Sequence, residues 1–527
     1  MPMQIDKHKV WRWCSAIFAA AALTLAKTDI SLAQSGSAVQ SQGTQTSAQV
    51  IDAAVHEIEL TANDVANARA YFDDDLRPIR VRVSYSSEDG HLYFDFDERL
   101  GNEAGYTNMV DLLTEIESKA HDLIDLLIPG EEPEYRYGGH DTGWWLDKAV
   151  GIEPASETHR VRRGVQGRVM DGPLVIAGGH GFYYNSAQKR WTSQRDVVNG
   201  VLEDDLTQVL SDHLRSRLLA RYYPSENLRR MRGRFSHAKS GLDWWRLGVR
   251  YHLESVKPNL PSLWNSQPDD ASADHERKQD LRSRPLYANH VKAPALINVH
   301  TNADSKSASG ARVYVYPGRS EDSKLATLIL CAMTEQLKSV DEFTGYPVAS
   351  KPHISKKHAE TRLSNGPSVI VEVGFHTNPD DVKYLTNPEF QSRAMAGVAK
   401  GYRLYRAGKA CEPFTITSDQ SMETVVWGRG KLPIAFGGNP DFPVKVTISR
   451  EDCSECQAQH ESIWNEASVR SFRVEHACRP ADLDRSPIRY TAIAMDSNGI
   501  KSNAATYTFA CKARSKRLAK FRVARLA

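Results

Sequence analysis

Three short apolar runs dominate the hydropathy pattern. Leu174-Val175-Ile176-Ala177, Ala295-Leu296-Ile297-Asn298-Val299 and Ser368-Val369-Ile370-Val371 are each long enough for one strand buried on both faces, as in parallel sheets. After the first run, Leu206, Val209, Leu210, Leu214 and Leu218 recur at helical spacing and predict an amphipathic helix beginning near Glu203. Strand and helix patterns alternate in this way over residues 166–410, which predicts a layered α/β domain. Upstream, residues 79–85 and 91–96 alternate around Glu88-Asp89-Gly90, a hairpin signal. A helix over 110–127 carries Leu112, Leu113, Ile116, Ala120, Leu123 and Ile124 on one side, so 51–165 reads as a small α+β unit. Residues 412–511 change to short alternating runs such as Val444-Lys445-Val446-Thr447-Ile448 separated by turns, which predicts a small antiparallel β-sandwich.

Two segments do not fit these periods. The stretch 224–282 is polar, charged and too long for an ordinary connection, so it reads as an insertion. Trp244, Trp245 and Trp264 favour order there; their rings either sit on a rim where they suit sugar or peptide ligands, or staple the segment to the domain. At the start, Lys7, Lys9 and Arg12 precede an apolar stretch over 14–26 and a small-x-small site at Ser31-Leu32-Ala33, the pattern of a cleaved export signal over 1–33. That stretch is short of the roughly 20 residues that span a bilayer. No later segment is apolar enough either, so the mature chain is expected to carry no transmembrane segment, and the protein to be periplasmic or secreted. A Ser-, Gln- and Gly-rich linker over 34–50 follows the signal.

Composition adds little and excludes something. A chain of 527 residues with a net charge of +2, 41% hydrophobic and 25% charged residues is an ordinary globular protein of about three domains, with no global signal for nucleic acid. The basic residues concentrate in 512–527, a solvated tail whose second reading is contact with anionic wall or membrane polymers. Six cysteines follow the signal: Cys331, Cys411, Cys453, Cys456, Cys478 and Cys511. Export favours disulfides among them over a metal knuckle, with connectivity open, although Cys331 on an apolar helix face reads as a core thiol.

The chemistry gathers at the strand ends. The three apolar runs lead into His180, His300 and Glu372, and ligands bind beyond the carboxyl ends of strands in open α/β sheets. Glu203, opening the predicted helix, lies near the same rim. Two histidines and a glutamate form a known zinc donor set, and a further glutamate can accept a proton from water. Gly138-Gly139-His140 repeats Gly178-Gly179-His180, but no buried strand precedes it, so His140 is read as structural. His353 and His358 read as surface residues of a basic stretch, and His376 as structural or supporting. No Gly-x-Ser-x-Gly elbow, Walker loop or dinucleotide fingerprint is present.

Four motifs in order, Gly179-His180-Gly181, Gly200-Val201-Leu202-Glu203, Val299-His300-Thr301-Asn302-Ala303 and Val371-Glu372-Val373-Gly374-Phe375, resemble the zinc-dependent N-acetylmuramoyl-L-alanine amidases of the amidase_3 type. Arg284 with Ala288-Asn289 and Thr377-Asn378-Pro379 align as well. The resemblance implies one zinc held by His180, Glu203 and His300, Glu372 as the catalytic carboxylate, and peptidoglycan as substrate. Arg284, Asn302, Trp244 and Trp245 are the expected substrate contacts. The chain departs from the family around the cleft: Phe182-Tyr183-Tyr184-Asn185 replace the usual Gly and nearby Asp after the first histidine, the spacing from His180 to Glu203 is longer, and 224–282 is inserted. Two alternatives remain: a carboxypeptidase-like zinc hydrolase of another cell-wall peptide, and a catalytically silent wall-binding regulator.

Overall fold

The computed structural model describes residues 47–514 apart from 69–70, 73–75, 130–131, 150–171, 230–231, 234, 418, 454 and 471. The expected export signal, most of the linker and the basic tail beyond 514 lie outside the described residues. Residues 47–50 of the expected linker belong to helix α1 (Ser47–Ala68).

In the first unit, α1 is followed by β1 (Val81–Tyr85), β2 (Leu92–Phe96), α2 (Thr107–Leu127), β3 (Glu134–Tyr137), β4 (His140–Asp141) and α3 (Thr142–Ala149). The hairpin pairs Val83 with Phe94, and β3 adds in parallel beside β2. Ile58, Val65, Leu92, Phe94, Leu112 and Ile116 are buried together between the sheet and the two long helices.

The second unit runs through β5 (Leu174–Gly178), β6 (Tyr183–Asn185), β7 (Arg190–Thr192), β8 (Val197–Val198), β9 (Val201–Leu202), α4 (Glu203–Leu219), β10 (Ser225–Asn227), α5 (Val249–Val256), α6 (Pro261–Trp264) and α7 (His275–His290). It continues with β11 (Leu296–Asn302), β12 (Arg312–Val315), α8 (Ser320–Lys338), β13 (His353–Ile354), α9 (Ala359–Arg362), β14 (Ser368–Phe375), α10 (Pro379–Leu385) and α11 (Pro388–Ala407). The sheet order is β10-β5-β11-β14-β12-β13. The first four strands are mutually parallel, and β12 runs antiparallel to β14.

Period-2 alternation sorts each central strand onto two helical layers. Ile297, Val299, Val369 and Val371 meet Leu210, Leu214, Ile329, Met333 and Val398 from α4, α8 and α11. On the other face Val175, Ala177 and Leu296 meet Val249, Leu253, Tyr287 and Ala288 from α5 and α7. His300 is in register with Glu372 on the neighbouring strand, so both project toward the α7 layer at the carboxyl end of the sheet.

The stretch 224–282 is part of this domain and not an appendage. It supplies the edge strand β10, the covering helices α5 and α6 and the start of α7, in which Arg277, Asp280 and Arg282 are buried. Its polarity misled the pattern reading because those buried charges are paired. The first unit docks on it and on the segment before α9: Lys278 pairs with Glu103 at 2.6 Å, Arg282 donates to the Tyr106 hydroxyl at 2.8 Å, and Lys357 pairs with Glu117 at 2.7 Å. Tyr106 and Leu146 also pack against Leu281, Ala359 and Leu363.

The C-terminal unit forms a five-stranded sheet with two two-stranded pairs beside it. One expectation is corrected: the strand Gln420–Val425 pairs in parallel with Ala505–Lys512, so the unit is not antiparallel throughout. Disulfides join Cys331 to Cys411, Cys453 to Cys456 and Cys478 to Cys511. Cys331 is therefore no free core thiol; it ties α8 to the segment leaving α11. Arg403 completes the junction with Asp441 at 2.7 Å.

Candidate metal centre

His180 sits two residues beyond β5 with φ at 60°, a left-handed backbone that turns its ring back over the sheet. Gly179 makes this possible, since a Cβ there would stand 2.3 Å from His300 Cε1. The loop is tied down by Asp204, which accepts from the backbone N–H of Gly181 at 3.0 Å, Gln194 at 2.7 Å and Arg195 at 3.1 Å. Glu203 opens α4, where the helix dipole favours a carboxylate. Its Oε1 accepts from Thr301 N–H at 3.0 Å, which pins the side chain to β11.

The side chains converge as the strand ends suggest. His180 Nε2 lies 3.4 Å from Glu203 Oε2 and His300 Nδ1 lies 3.3 Å from Glu203 Oε1. The two rings stand 4.9 Å apart at 89°. One donor atom from each of His180, Glu203 and His300 lies within 4.8 Å of the others, and all three residues are buried. Glu372 Oε2 is buried beside them without a hydrogen-bond partner. The donor set and this unpartnered carboxylate fit a metal ion. A second convergence, His476 with Cys478 and Cys511, has its two sulfurs joined in a disulfide.

Charge is distributed unevenly over the four groups. Burial pushes the His180 imidazole down to about 3. Burial pulls His300 the same way, but Glu360, Glu203 and Glu372 outweigh it and hold the ring up at about 10. Glu203 stays well below the usual carboxylate range because His180, His300 and Arg195 outweigh its own burial. Glu372 is pushed up to about 8 by burial and by Glu203, against His300. Two carboxylates of similar burial are thus driven apart, which is how acid and base roles are separated within one site.

A cleft of about 880 Å³ opens over these groups and is walled on one side by the first unit. Asp111 of α2 pairs with Arg195, whose Nε lies 3.2 Å from His180 Nε2 and 3.3 Å from Glu203 Oε2. Asn302 lines the cleft and donates to the Tyr314 hydroxyl at 3.2 Å. Arg284 lies behind His300, with Nη2 donating to Asp280 at 2.9 Å and Nη1 to Glu360. Trp244 and Trp245 are not among the lining residues. Trp244 packs 4.7 Å from the His237 ring, and the Trp245 backbone carbonyl accepts from Arg229 at 2.8 Å.

His358 is not a surface residue; it lines the cleft just ahead of α9, while His353 is half-buried with its ring 5.5 Å from Tyr314. His376 Nδ1 is 3.0 Å from Thr301 Oγ1, a supporting position. His140 stacks on Trp144 at 3.9 Å, away from the cleft. Sequence reasoning missed Arg195, Asp111, Asp204 and Glu360. None has a periodic signal; each is defined by a partner distant in sequence.

The fold and site together define a layered α/β domain with a buried two-histidine, one-glutamate donor set beside a free carboxylate. Residues 267–403, about a quarter of the chain, match the amidase_3 family model, described as N-acetylmuramoyl-L-alanine amidase. That segment contains His300, Glu360 and Glu372 but neither His180 nor Glu203. The germination-specific N-acetylmuramoyl-L-alanine amidase of Bacillus subtilis (strain 168) is 27% identical over 140 residues, 26% of this chain and 55% of that protein. The chain therefore spans about half the length of the curated relative it matches. The solved CwlD amidase from Clostridioides difficile, in complex with the GerS lipoprotein, is similar over 45% of this chain and 100% of its own, at 16% identity and a TM-score of 0.30. The catalytic domain of CwlV, an amidase from Bacillus (Paenibacillus) polymyxa, is similar over 45% and 99% at 16% identity and a TM-score of 0.30.

Proposed function

We propose that this chain is a zinc-dependent N-acetylmuramoyl-L-alanine amidase that cleaves the amide joining the lactyl group of N-acetylmuramic acid to L-alanine in peptidoglycan. The observation that carries the reading is the convergence of His180, Glu203 and His300 beside the unpartnered carboxylate of Glu372. The three would hold zinc through His180 Nε2, Glu203 and His300 Nδ1. When bound, zinc supplies a Lewis acid and lowers the pKa of water at the site to about 7.

Glu372 takes the proton of the attacking water and returns it to the leaving amine, a task suited to a carboxylate whose Oε2 is buried beside the donor set without a hydrogen-bond partner. Asn302 and the cleft wall orient the muropeptide and exclude bulk water. Export to the periplasm or the exterior is supported by the basic-apolar-small pattern over 1–33 and by three disulfides. Among the described residues no helix is long and apolar enough to cross a membrane.

Purified protein is expected to hold about one zinc per chain and to release peptides beginning with L-alanine from muropeptides, leaving the glycan intact. Glu372→Gln should keep the metal and slow hydrolysis about 10²–10⁴-fold. Release of a C-terminal residue instead, a wild-type protein that takes up no zinc, or a fully active Glu372→Gln enzyme would each defeat the assignment.

A further inference from the structure

The outward nitrogens of both histidines lead into one buried polar chain. His180 Nδ1 lies 3.4 Å from Gln194 Oε1, and Gln194 Nε2 donates to Asp280 Oδ2 at 3.0 Å. Arg284 Nη2 donates to the same Asp280 oxygen at 2.9 Å, and Arg284 Nη1 donates to Glu360 Oε1. Glu360 Oε1 in turn lies 3.2 Å from His300 Nε2. Asp280, Arg284 and Glu360 are all buried, at 0%, 1% and 3% exposure. A neutral imidazole carries its proton on one nitrogen only, and the hydrogen bond made by that nitrogen decides which one is left to bind metal.

We propose that Glu360 is a positioning residue of the metal centre. It accepts the His300 Nε2–H, which leaves Nδ1 bare and facing Glu203, and Arg284 holds Glu360 in that place. For the neutral, metal-binding ring, the competing arrangement has Arg284 Nη1, 3.5 Å from His300 Nε2, donating to that nitrogen. A guanidinium has no acceptor, so this would require the proton on Nδ1, between the ring and Glu203. The shorter contact of Nε2 with Glu360, and the still closer approach of Arg284 to the same Glu360 oxygen, select the first arrangement. Glu360 matches none of the family motifs in the sequence, and it reaches the site from α9, which packs against α7 and β14. The inference rests on the zinc reading of the centre and needs no assumption about substrate.

Two measurements test it on the full chain. In ¹⁵N-histidine-labelled, zinc-loaded wild-type protein, long-range ¹⁵N–¹H correlation should show His300 protonated at Nε2 and bound through Nδ1, and a bond through Nε2 would overturn the proposal. Competition with a chromophoric chelator should show Glu360→Leu holding zinc about 10–100-fold more weakly, and Glu360→Gln, which keeps an acceptor but no charge, falling between it and wild type. Because Glu360→Leu leaves the Arg284 charge buried alone, the double variant Arg284→Leu/Glu360→Leu serves as the folding control and should remain weak in zinc. Wild-type affinity in Glu360→Gln and in the folded double variant would overturn the role of Glu360 while leaving the amidase reading intact. A wild-type chain that binds no zinc defeats that reading and this inference with it.

Discussion

Gly138-Gly139-His140 and Gly178-Gly179-His180 are the same tripeptide in two settings. The first is a turn between two short strands, β3 and β4: Gly138 and Gly139 both have left-handed backbones, and His140 lies half-buried against Trp144 with the rings 8° from parallel. The second follows a strand buried along its whole length, and there it is His180 that has the left-handed backbone. Gly139 is glycine for its backbone, since a Cβ there would meet nothing within 4 Å, whereas Gly179 is glycine for space, since a Cβ there would strike the His300 ring. Identical residues thus serve a turn in one place and a candidate metal centre in the other. The preceding strand makes the difference: β5 is buried along its whole length beside the parallel strand β11 that carries His300, whereas β3 is only alternately buried and leads straight into the turn to β4.

Several substitutions would break or sharpen that contrast. The largest effect is expected from His180→Ala, which should abolish zinc uptake and hydrolysis; a His180→Ala protein with wild-type zinc content would erase the distinction between the two histidines. Next, Gly179→Ala and Gly139→Ala should cost comparable stability for different reasons, about 1–3 kcal/mol of overpacking against about 1–2 kcal/mol of backbone strain. Only Gly179→Ala should weaken zinc in chelator competition, and equal zinc affinities in the two variants would contradict the geometry.

Acid should separate the two histidines by a smaller amount. Burial pushes His180 down to about 3 from its ordinary 6.5, so the folded metal-free protein keeps the ring neutral while the unfolded chain takes up a proton. The stability this group contributes is present above pH 6.5 and is lost as pH falls from there toward 3, at about 1.4 kcal/mol per pH unit at most. Urea unfolding of metal-free protein at pH 6.5 and 5.5 should therefore show a shallower acid loss in His180→Asn than in wild type; parallel losses would refute it. The smallest effect belongs to His140→Ala, where only the stack on Trp144 is removed. About 0.5–1.5 kcal/mol of stability should go, with zinc content and hydrolysis unchanged.

Much of the candidate site was legible because its four residues sit at strand ends or at a helix start, where a short apolar run announces the position. The pattern brought His300 and Glu372 to strand ends on one rim; that they are register partners was decided by the strand order of the sheet. Glu360, Arg195 and Asp111 were not legible, since each acts through a partner in another element and none is part of a periodic run. The segment 224–282 misled for a related reason. Its charge and length made it read as an insertion, yet Arg277, Asp280 and Arg282 are buried and paired, and burial of paired charge leaves no hydropathy signature. His358 failed similarly: it stands in a basic, polar neighbourhood in sequence, yet lines the cleft in the fold.

The sequence by itself determined a layered α/β domain with three buried strands, and two imidazoles and a carboxylate at their ends, with a helix opening on a further glutamate. Hydrophobic periodicity is a local property, and a strand's end follows from its length. Which nitrogen of each histidine faces the centre, which carboxylate stays charged and what walls the cleft were decided by the tertiary structure alone. Those properties depend on desolvation and on pairs such as Glu360 with His300 and Asp111 with Arg195, separated by 60 and 84 residues along the chain.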